Sequence, residues 1–541
     1  MMIRTTKIRF DGQRHLWILL LSCLVISACA DNGKKSEADS DSDSATASFD
    51  TATETAADSD SIITTDTPTI PDTATLVDTV IDTTDSDSVS ESDTSIETET
   101  DSADSDSVDT SEIATDSADS ETESNSPDSC RRYVDLAAVS PLKDGLSWVS
   151  AYESIQDGLD AATKVSGQCT DGFEIWVAQG VYLPDTSRFG QSGAVRNATF
   201  ELISGVALYG GFNGTETSLA ERELSDATRT TLSGDLGEND DGILNFEDNV
   251  YRVVLGANNA LIDGFTISGG SGSGGGLYAF QASPTIRNCT FTKNLGLKGP
   301  AMFISESSPT IENCIFAYNH TIDGADGSHG GGMYIRNGSP HISDCQFIGN
   351  TTGSGTAEGS AGNGGGIFIE GGTPLLENCT FRDNLAAKGG GLYLLDSNAD
   401  IDGCTITDNK TFLTALENDG AGVYIDGGNP VVSNAYLAGN DTSVGPEEAT
   451  GRGGAMFVNG STLTFESGII SRNNAAKGGG IYLQNSTALI DDSVIRGNST
   501  FSDVDDNDGG GIFIEGGNPL LRDVTIHDNC SGSGTVGGKG G

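Results

Sequence analysis

Residues 274–294 read GGGLYAFQASPTIRNCTFTKN, and this phrase returns eight more times along the second half of the chain. Each copy has a glycine-rich head followed by an aliphatic, an aromatic and a second aliphatic residue. Its tail is a small residue, one spacer, a large apolar residue, two spacers and an asparagine. Fixed-period self-similarity is the signature of a solenoid, in which each unit buries its apolar face against its neighbours. The sequence therefore predicts a stack of nine coils.

The tail asparagine marks the length of each coil. Its nine positions are Asn294, Asn319, Asn350, Asn384, Asn409, Asn440, Asn473, Asn498 and Asn529. Their spacings are 25, 31, 34, 25, 31, 33, 25 and 31, so three coils add up to 90 and then 89 residues. The duplicated unit is therefore predicted to be a block of three coils that differ in the loop after the asparagine, because surface loops tolerate insertion. We expect the asparagines to lie at a turn, where stacked amides satisfy one another.

The head of each coil predicts a strand with two opposite faces. Its two aliphatic residues are separated by one position, so both point to the same side, and we expect that side to face inward. The tail's large apolar residue adds to this core. Proline stands ten residues before the asparagine in six coils and should mark the start of a further strand, since it cannot donate to a sheet. These prolines are Pro284, Pro309, Pro340, Pro374, Pro430 and Pro519.

An aromatic residue lies between the two aliphatic positions of every head. The row consists of Tyr278, Phe303, Tyr334, Phe368, Tyr393, Tyr424, Phe457, Tyr482 and Phe513. We expect it to point outward, where aromatic faces could stack on the sugar rings of a polysaccharide or bind a partner protein. The alternative is an outer ladder that loops cover and that stabilises the sheet by stacking.

Five cysteines share one register, two residues before the large apolar position of the tail. They are Cys289, Cys314, Cys345, Cys379 and Cys404. Later coils place Ala, Gly, Ser or Val there, so the position requires a small residue. Buried free thiols and vertical disulfides between adjacent coils are both open, while no histidine joins the row to form a metal site. Cys130 and Cys169 could pair across the region before the repeats in an oxidising compartment.

Residues 130–255 do not follow the repeat, and we interpret them as a cap with the first irregular coils. A solenoid exposes an apolar end, so an atypical terminal unit is needed there. Ser154, followed by apolar residues at helical spacing, predicts a helix that fills this end. Residues 256–541 are then the repeats.

A family resemblance is carried by short segments of both regions. YVD at 133–135, GLSW at 145–148, EIWVA at 174–178, GVALYGGF at 205–212 and LSGD at 232–235 resemble the entry region of bacterial secreted right-handed parallel β-helix proteins. GGGI at 364–367 and FRDN at 381–384 resemble the repeats of the chlamydial polymorphic outer membrane proteins. The likeness covers about residues 130–541. The resemblance implies an all-β fold, a single-stranded right-handed parallel β-helix. Its repeat motifs are specific for the fold and say little about the function.

The N-terminus reads as a secretory signal. Basic residues precede an apolar run from Leu16 to Ala30, which is too short for a membrane span. The run contains ISAC at 26–29, which resembles a bacterial lipobox. Residues 1–29 are therefore expected to be a lipoprotein signal peptide, with Cys29 lipidated and tethering the protein to a membrane. Cleavage as an ordinary signal peptide is the alternative.

Residues 30–129 form an acidic segment rich in Asp, Ser and Thr. From Ser36 to Ser129 there are 28 acidic residues and no Lys or Arg. Because like charges repel and little apolar surface is present, the segment is predicted to be an extended, disordered stalk.

Two acidic groups have the oxygen-rich composition that calcium prefers, so calcium is the cofactor that this chain could take. The first lies in a long loop and comprises Asp503, Asp505, Asp506 and Asp508, although the following glycine comes one place later than in a calcium loop. The second lies in the cap and comprises Asp235, Asn239, Asp240, Asp241 and Asp248. Solvated acidic loops are the alternative for both.

The formal net charge of −51 argues against nucleic acid as a partner. The repeat varies in its loops but places no catalytic set of residues. We therefore predict a non-catalytic protein of the bacterial envelope, in the outer membrane or at the cell surface, with an adhesive, structural or binding role towards a polysaccharide or a surface protein. The alternative is a calcium-dependent polysaccharide lyase or glycoside hydrolase. Another glycine-rich head is due near Gly537, so we expect the chain to continue or a partner to cover its open end.

Overall fold

The computed structural model describes residues 130–532 with ten gaps. These gaps are 166–168, 170–171, 190–193, 226–228, 243, 324–326, 354–361, 413–417, 443–450 and 502–507. The predicted lipidation site Cys29, the predicted stalk and the glycine-rich end near Gly537 lie outside the described residues. Within the described part, the chain winds coil after coil into a parallel β-helix, and each coil adds strands to the same three sheets.

Three long parallel sheets run along the described part of the chain. Sheet 1 carries the repeat heads: Phe200–Glu201, Val254–Leu255, Leu277–Phe280, Met302–Ser305, Met333–Arg336, Ile367–Glu370, Leu392–Leu395, Val423–Asp426, Met456–Asn459, Ile481–Ser486 and Ile512–Gly517. Sheet 2 follows the prolines: Arg131–Val134, Phe173–Ala178, Val206–Phe212, Leu261–Asp263, Thr285–Arg287, Thr310–Glu312, His341–Ser343, Leu375–Glu377, Asp400–Asp402, Val431–Ser433, Thr464–Glu466, Leu489–Asp491 and Leu520–Arg522. Sheet 3 carries the repeat tails: Gly180–Tyr182, Thr230–Ser233, Phe265–Ser268, Thr290–Thr292, Ile315–Ala317, Gln346–Ile348, Thr380–Arg382, Thr405–Thr407, Tyr436–Ala438, Ile469–Ser471, Val494–Arg496 and Thr525–His527.

Short elements complete the described fold. Three two-stranded ladders pair Leu295–Gly296 with His320–Thr321, Leu385–Ala386 with Lys410–Thr411, and Asn474–Ala475 with Ser499–Thr500. The 3-10 helices are Thr186–Phe189, Ala194–Asn197 and Leu219–Glu221.

The predicted cap helix is present as α1, Ile155–Val165. It begins where expected because the Ser154 hydroxyl accepts a hydrogen bond from the Gln156 N–H at 3.1 Å. Its buried face, which includes Leu159, packs on the first two strands of sheet 2. A methyl group on Gly158 would lie 3.2 Å from Ile175, so glycine permits this close approach. The helix therefore covers the apolar end of the stack.

The predicted disulfide between Cys130 and Cys169 is present in the structure. It joins the start of the first strand of sheet 2 to the segment that follows α1. The cap is thus closed covalently as well as by apolar packing.

Equivalent residues of successive coils lie directly above one another. Leu277 pairs with Met302, which in turn pairs with Met333. Both aliphatic positions of the head are fully buried in coils one to eight, which confirms the inward face that was predicted. Inside sheet 3, Phe291, Phe316 and the phenylalanines of the next two coils stack with ring centroids 4.6–5.0 Å apart.

Sheet 2 supplies a third inward row that the sequence analysis did not assign. Its strands begin directly after the prolines, as predicted. The central residue of each strand is fully buried in eight coils: Ile286, Ile311, Ile342, Leu376, Ile401, Val432, Phe465 and Ile490. The core therefore has three walls, and each coil contributes one strand to each wall.

The asparagines form a buried amide ladder at the turn after sheet 3. The Asn384 side-chain oxygen accepts hydrogen bonds from the backbone N–H and the amide of Asn350 at 3.0 and 3.1 Å. The Asn384 amide donates to the carbonyl of Phe347 at 2.9 Å and to the Asn409 side-chain oxygen at 3.0 Å. Each amide thus satisfies the coil before it and the coil after it, which confirms the structural role that was expected.

We predict that Asn384→Ala lowers the free energy of unfolding by about 3 kcal/mol, because it leaves buried donors on Asn350 and a buried acceptor on Asn409 without partners. Urea denaturation followed by circular dichroism measures this loss. Asn398→Ala is the matched control, since Asn398 is exposed and should change stability by less than about 1 kcal/mol. Equal losses in both variants would contradict a ladder that determines stability.

Candidate functional site

The aromatic row lies on the outer face of sheet 1, as predicted, but its rings are not free. Successive rings stack nearly parallel with centroids 4.7–5.4 Å apart. Seven of the nine side chains are buried, with exposed fractions of 1–7%, and only Tyr278 and Phe513 at the two ends are partly exposed. Because each face contacts the next ring, no sugar can stack on the faces in the middle of the row.

Cationic side chains cover the rings from outside. Lys298, Lys388 and Lys477 stand at the same place in successive three-coil blocks and lie over Tyr334, Tyr424 and Phe513, 4.8–5.8 Å from the ring centroids. Their contacts with the π faces give them a structural role.

A buried ion pair holds a further part of this cover. Arg452 lies 4.6 Å from the ring centroid of Phe457 and binds the carboxylate of Asp419 through two nitrogens at 3.0 and 2.6 Å. Asp419 is fully buried, and burial raises its pKa while Arg452 opposes that change. The burial of the row favours the covered, stabilising ladder, and glycan binding by these rings stays a prediction.

Most of the first acidic group that was predicted to bind calcium lies outside the described residues, so this call stays a prediction. Asp503, Asp505 and Asp506 lie outside them, and Asp508 alone of that group is described. Among the residues with a described position, no group of three or more His, Cys, Asp or Glu side chains is arranged to hold a metal ion. Nor is any helix of this part long and apolar enough to cross a membrane.

The five cysteines of the repeat are free and buried. Their sulfurs point at backbone carbonyls: the Cys314 thiol, for example, donates to the carbonyl of Glu312 at 3.3 Å. Burial raises the pKa of Cys314, which removes the reactive thiolate form at neutral pH. Of the two alternatives left open by the sequence, the structure has the thiol ladder rather than the vertical disulfides.

A polar cluster on sheet 1 is the nearest approach to catalytic chemistry in the described residues. The Tyr334 hydroxyl donates to Glu370 and lies 3.5 Å from the Lys298 amine. Burial and the Glu370 carboxylate raise the pKa of Tyr334. Burial, with the Lys298 charge, lowers the pKa of His329 to about 4, so that this imidazole is neutral at pH 7. Because Tyr334 is 2% exposed, a substrate has no open path to it.

An exposed groove on sheet 3 has a different composition. Its volume is about 280 Å³, and it is lined by Ser471, Arg472, Arg496, Gly497 and Asp528. We call it the sheet 3 groove. The two arginines are exposed, and neither forms an ion pair with any described residue, whereas Arg382, at the equivalent strand position of an earlier coil, pairs with Asp383. Two guanidinium groups without an ion pair among the described residues therefore lie at the surface of a strongly acidic protein.

Tyr436 borders the sheet 3 groove. Its hydroxyl accepts hydrogen bonds from Ser471 at 3.5 Å and from Arg472 at 2.9 Å. These bonds, together with the charges of Arg472 and Arg496, lower the pKa of Tyr436. The sequence analysis missed this site because its residues come from four coils and from different positions of the repeat, so no linear pattern marks it.

Comparisons with known proteins bear on the fold. A family model described as a right handed beta helix region matches residues 244–364 and 361–541. None of the curated proteins matches the chain. The A-module of mannuronan C-5 epimerase AlgE6 from Azotobacter vinelandii is 14% identical over 73% of this chain and 99% of its own, with a TM-score of 0.33. PfbA, a surface adhesin of Streptococcus pneumoniae, is 13% identical over 70% and 88%, with a TM-score of 0.28. Likeness at this level carries no argument about ligand or activity.

We predict that Tyr393→Ala in the middle of the aromatic ladder lowers the free energy of unfolding by about 3–4 kcal/mol, because it leaves a cavity between two stacked rings. Thermal and urea denaturation measure the loss. Tyr318→Ala is the matched control: Tyr318 is 67% exposed, so its removal should cost about 1 kcal/mol or less. If Tyr393→Ala is as mild as the control, the ladder does not stabilise the sheet.

We also predict that the five thiols of the repeat resist a maleimide reagent in the native protein and react fully after denaturation, because burial makes them inaccessible to the reagent. Mass spectrometry of the labelled peptides identifies each cysteine. A native mass that lacks two hydrogens across adjacent coils would contradict the free thiol ladder and support vertical disulfides.

Proposed function

We infer that this chain, which belongs to the right-handed β-helix family, is a non-catalytic binding protein of the bacterial cell envelope whose sheet 3 groove holds an acidic polysaccharide. The observation that carries this proposal is the pair Arg472 and Arg496, exposed and without ion pairs among the described residues. Calcium and a surface protein stay further proposals for cofactor and partner.

The chemistry of the groove fits a uronate or another sugar that carries an anionic group. A guanidinium group can donate two parallel hydrogen bonds to one carboxylate, which gives both strength and orientation. Tyr436 offers part of an aromatic ring beside the arginines, and Asp528 can accept hydrogen bonds from sugar hydroxyls. The volume of about 280 Å³ lies near the lower end of the range for small-molecule sites, so we expect about one or two saccharide units.

The rest of the β-helix fits a role in binding a ligand rather than in catalysis. The titratable groups nearest to a catalytic set, around Tyr334, are covered and bonded to one another. The apolar run that contains Cys29 supports lipid anchoring as the way in which the rod is held at the envelope.

The competing function is a calcium-dependent polysaccharide lyase or glycoside hydrolase. One observation favours it, the contact of the Tyr334 hydroxyl with Glu370 and Lys298 beside a neutral His329. The burial of Tyr334 weighs against it, because the cover must move before a substrate can enter.

We predict that the full mature chain binds polyuronates on a glycan array and binds neutral polysaccharides much more weakly, since the arginines recognise an anion. Raising NaCl from 0.05 to about 0.5 M should weaken binding, because exposed charges are screened. Arg496→Gln should reduce affinity roughly 10-fold through loss of a charged hydrogen bond. Biolayer interferometry with immobilised polyuronate measures the change.

Arg382→Gln is the matched control for this experiment. Arg382 occupies the same strand position as Arg496 in an earlier coil and is exposed, but it pairs with Asp383. The two variants lose the same charge, so an equal effect of both would mean non-specific attraction. Absence of binding together with release of unsaturated products from polyuronate, measured by absorbance with and without chelator, would favour the lyase.

A further inference from the structure

The cap contains a loop of unusual composition between the sheet 3 strand Thr230–Ser233 and the sheet 1 strand Val254–Leu255. The Asp235 carboxylate folds its first half by accepting the N–H groups of Asn239 at 3.2 Å and Asp240 at 3.1 Å. The Asn239 amide donates to Asp248 at 3.2 Å, which draws the second half towards the first. We call residues 235–249 the acidic cap loop.

Three side-chain oxygens of this loop are buried without a hydrogen-bond donor. They are Asp240 Oδ1, Asp248 Oδ1 and Asn249 Oδ1, three of the seven such side-chain atoms among the described residues. Asn249 is fully buried, and its amide donates to Asp240 Oδ2 at 2.9 Å, so its side chain faces the Asp240 carboxylate. A buried acceptor that lacks a partner carries a free-energy cost, and three in one short loop need a common explanation.

The negative charges in the acidic cap loop also favour a bound cation. The carboxylates of Asp235 and Asp248 lie close enough to repel the Asp240 carboxylate, and Lys293 is a cation that attracts it. A glycine stands at 237 where a methyl group would lie 2.1 Å from Asp248 Oδ2. Glycine at this position therefore leaves room for the Asp248 carboxylate, which lies among other carboxylates that repel it.

We propose that the acidic cap loop binds one Ca²⁺ ion through Asp240, Asp248 and Asn249. Calcium takes six to eight oxygen ligands and accepts carboxylate, amide, carbonyl and water oxygens in irregular geometry. Two carboxylates and one amide supply side-chain oxygens, and water or backbone oxygens complete the shell. Magnesium is a poorer fit, because it requires near-octahedral geometry and loses its water reluctantly.

Binding here would act on the junction between the cap and the repeats. Arg196 donates to the carbonyl of Asn249 at 2.6 Å, to the carbonyl of Phe246 at 3.2 Å and to the Ser271 hydroxyl at 2.7 Å. Ser271 precedes the first repeat head. An ion that holds Asp240, Asp248 and Asn249 together therefore also fixes the loop against the first coil.

The test uses the full chain after treatment with a chelator, in about 0.15 M NaCl and millimolar Mg²⁺ to suppress weak binding to the acidic surface. Isothermal titration with CaCl₂ should show a specific site, and Ca²⁺ should raise the melting temperature by about 2–5 °C. Asp240→Asn should weaken this site at least 10-fold and abolish the thermal shift. Asp241→Asn, which removes the same charge from the exposed neighbour, should leave both unchanged.

Two further variants keep the outcome decisive. Asp248→Asn repeats the test if Asp240→Asn fails to fold, as judged by its β-sheet circular dichroism. Asp505→Asn reports on calcium in the distant acidic loop, so a site sensitive to that variant alone would overturn the assignment to the cap. Equal effects of Asp240→Asn and Asp241→Asn, or no calcium-dependent change, would also overturn it and leave water as the partner of the three oxygens.

Discussion

The register of the whole stack depends on one buried side-chain amide per coil. Each asparagine at the turn after sheet 3 accepts from the coil before it and donates both to that coil's backbone and to the next asparagine. A side-chain amide has an acceptor and two N–H donors, so it can donate to the backbone and to the next asparagine at once. A hydroxyl has only one hydrogen to donate, and a carboxylate has none. Because these amides hold equivalent turns above one another, the aliphatic, phenylalanine and cysteine rows align as well.

This alignment explains why the most regular features of the chain are not its best binding sites. An aromatic ring that recurs in every coil lies about 5 Å from the equivalent ring of the next coil, so its faces contact that ring rather than a ligand. The outer aromatic row is occupied in this way, and lysines at block intervals cover it further. Solvent-facing chemistry is left to positions that lie outside the repeat or whose residue type changes from coil to coil. The acidic cap loop is of the first kind. The sheet 3 groove is of the second, since Arg472, Gly497 and Asp528 stand at one position of three successive coils.

The two proposals use opposite charges and can be separated. The sheet 3 groove holds two arginines without ion pairs among the described residues of an acidic protein, so it attracts an anion. The acidic cap loop holds oxygens without donors, so it attracts a cation. They lie in different parts of the chain, and the failure of one leaves the other standing. A calcium ion in the cap would stabilise the rod without taking part in glycan binding.

The sequence by itself determined the repeat, the inward head and tail rows, the strand starts after the prolines, the role of the asparagines and the cap helix. All of these follow from the spacing of residue types along the chain and from the size of the residue at each position, and both can be read directly from the sequence. It did not assign the inward row of sheet 2, because that strand is short and its central residue is flanked by variable positions. Only the tertiary structure decided that the aromatic row is covered, that the thiols are free and that Tyr436, Arg472 and Arg496 meet. These outcomes depend on which side chains of neighbouring coils contact one another across the stack, and the linear spacing of the repeat does not contain that information.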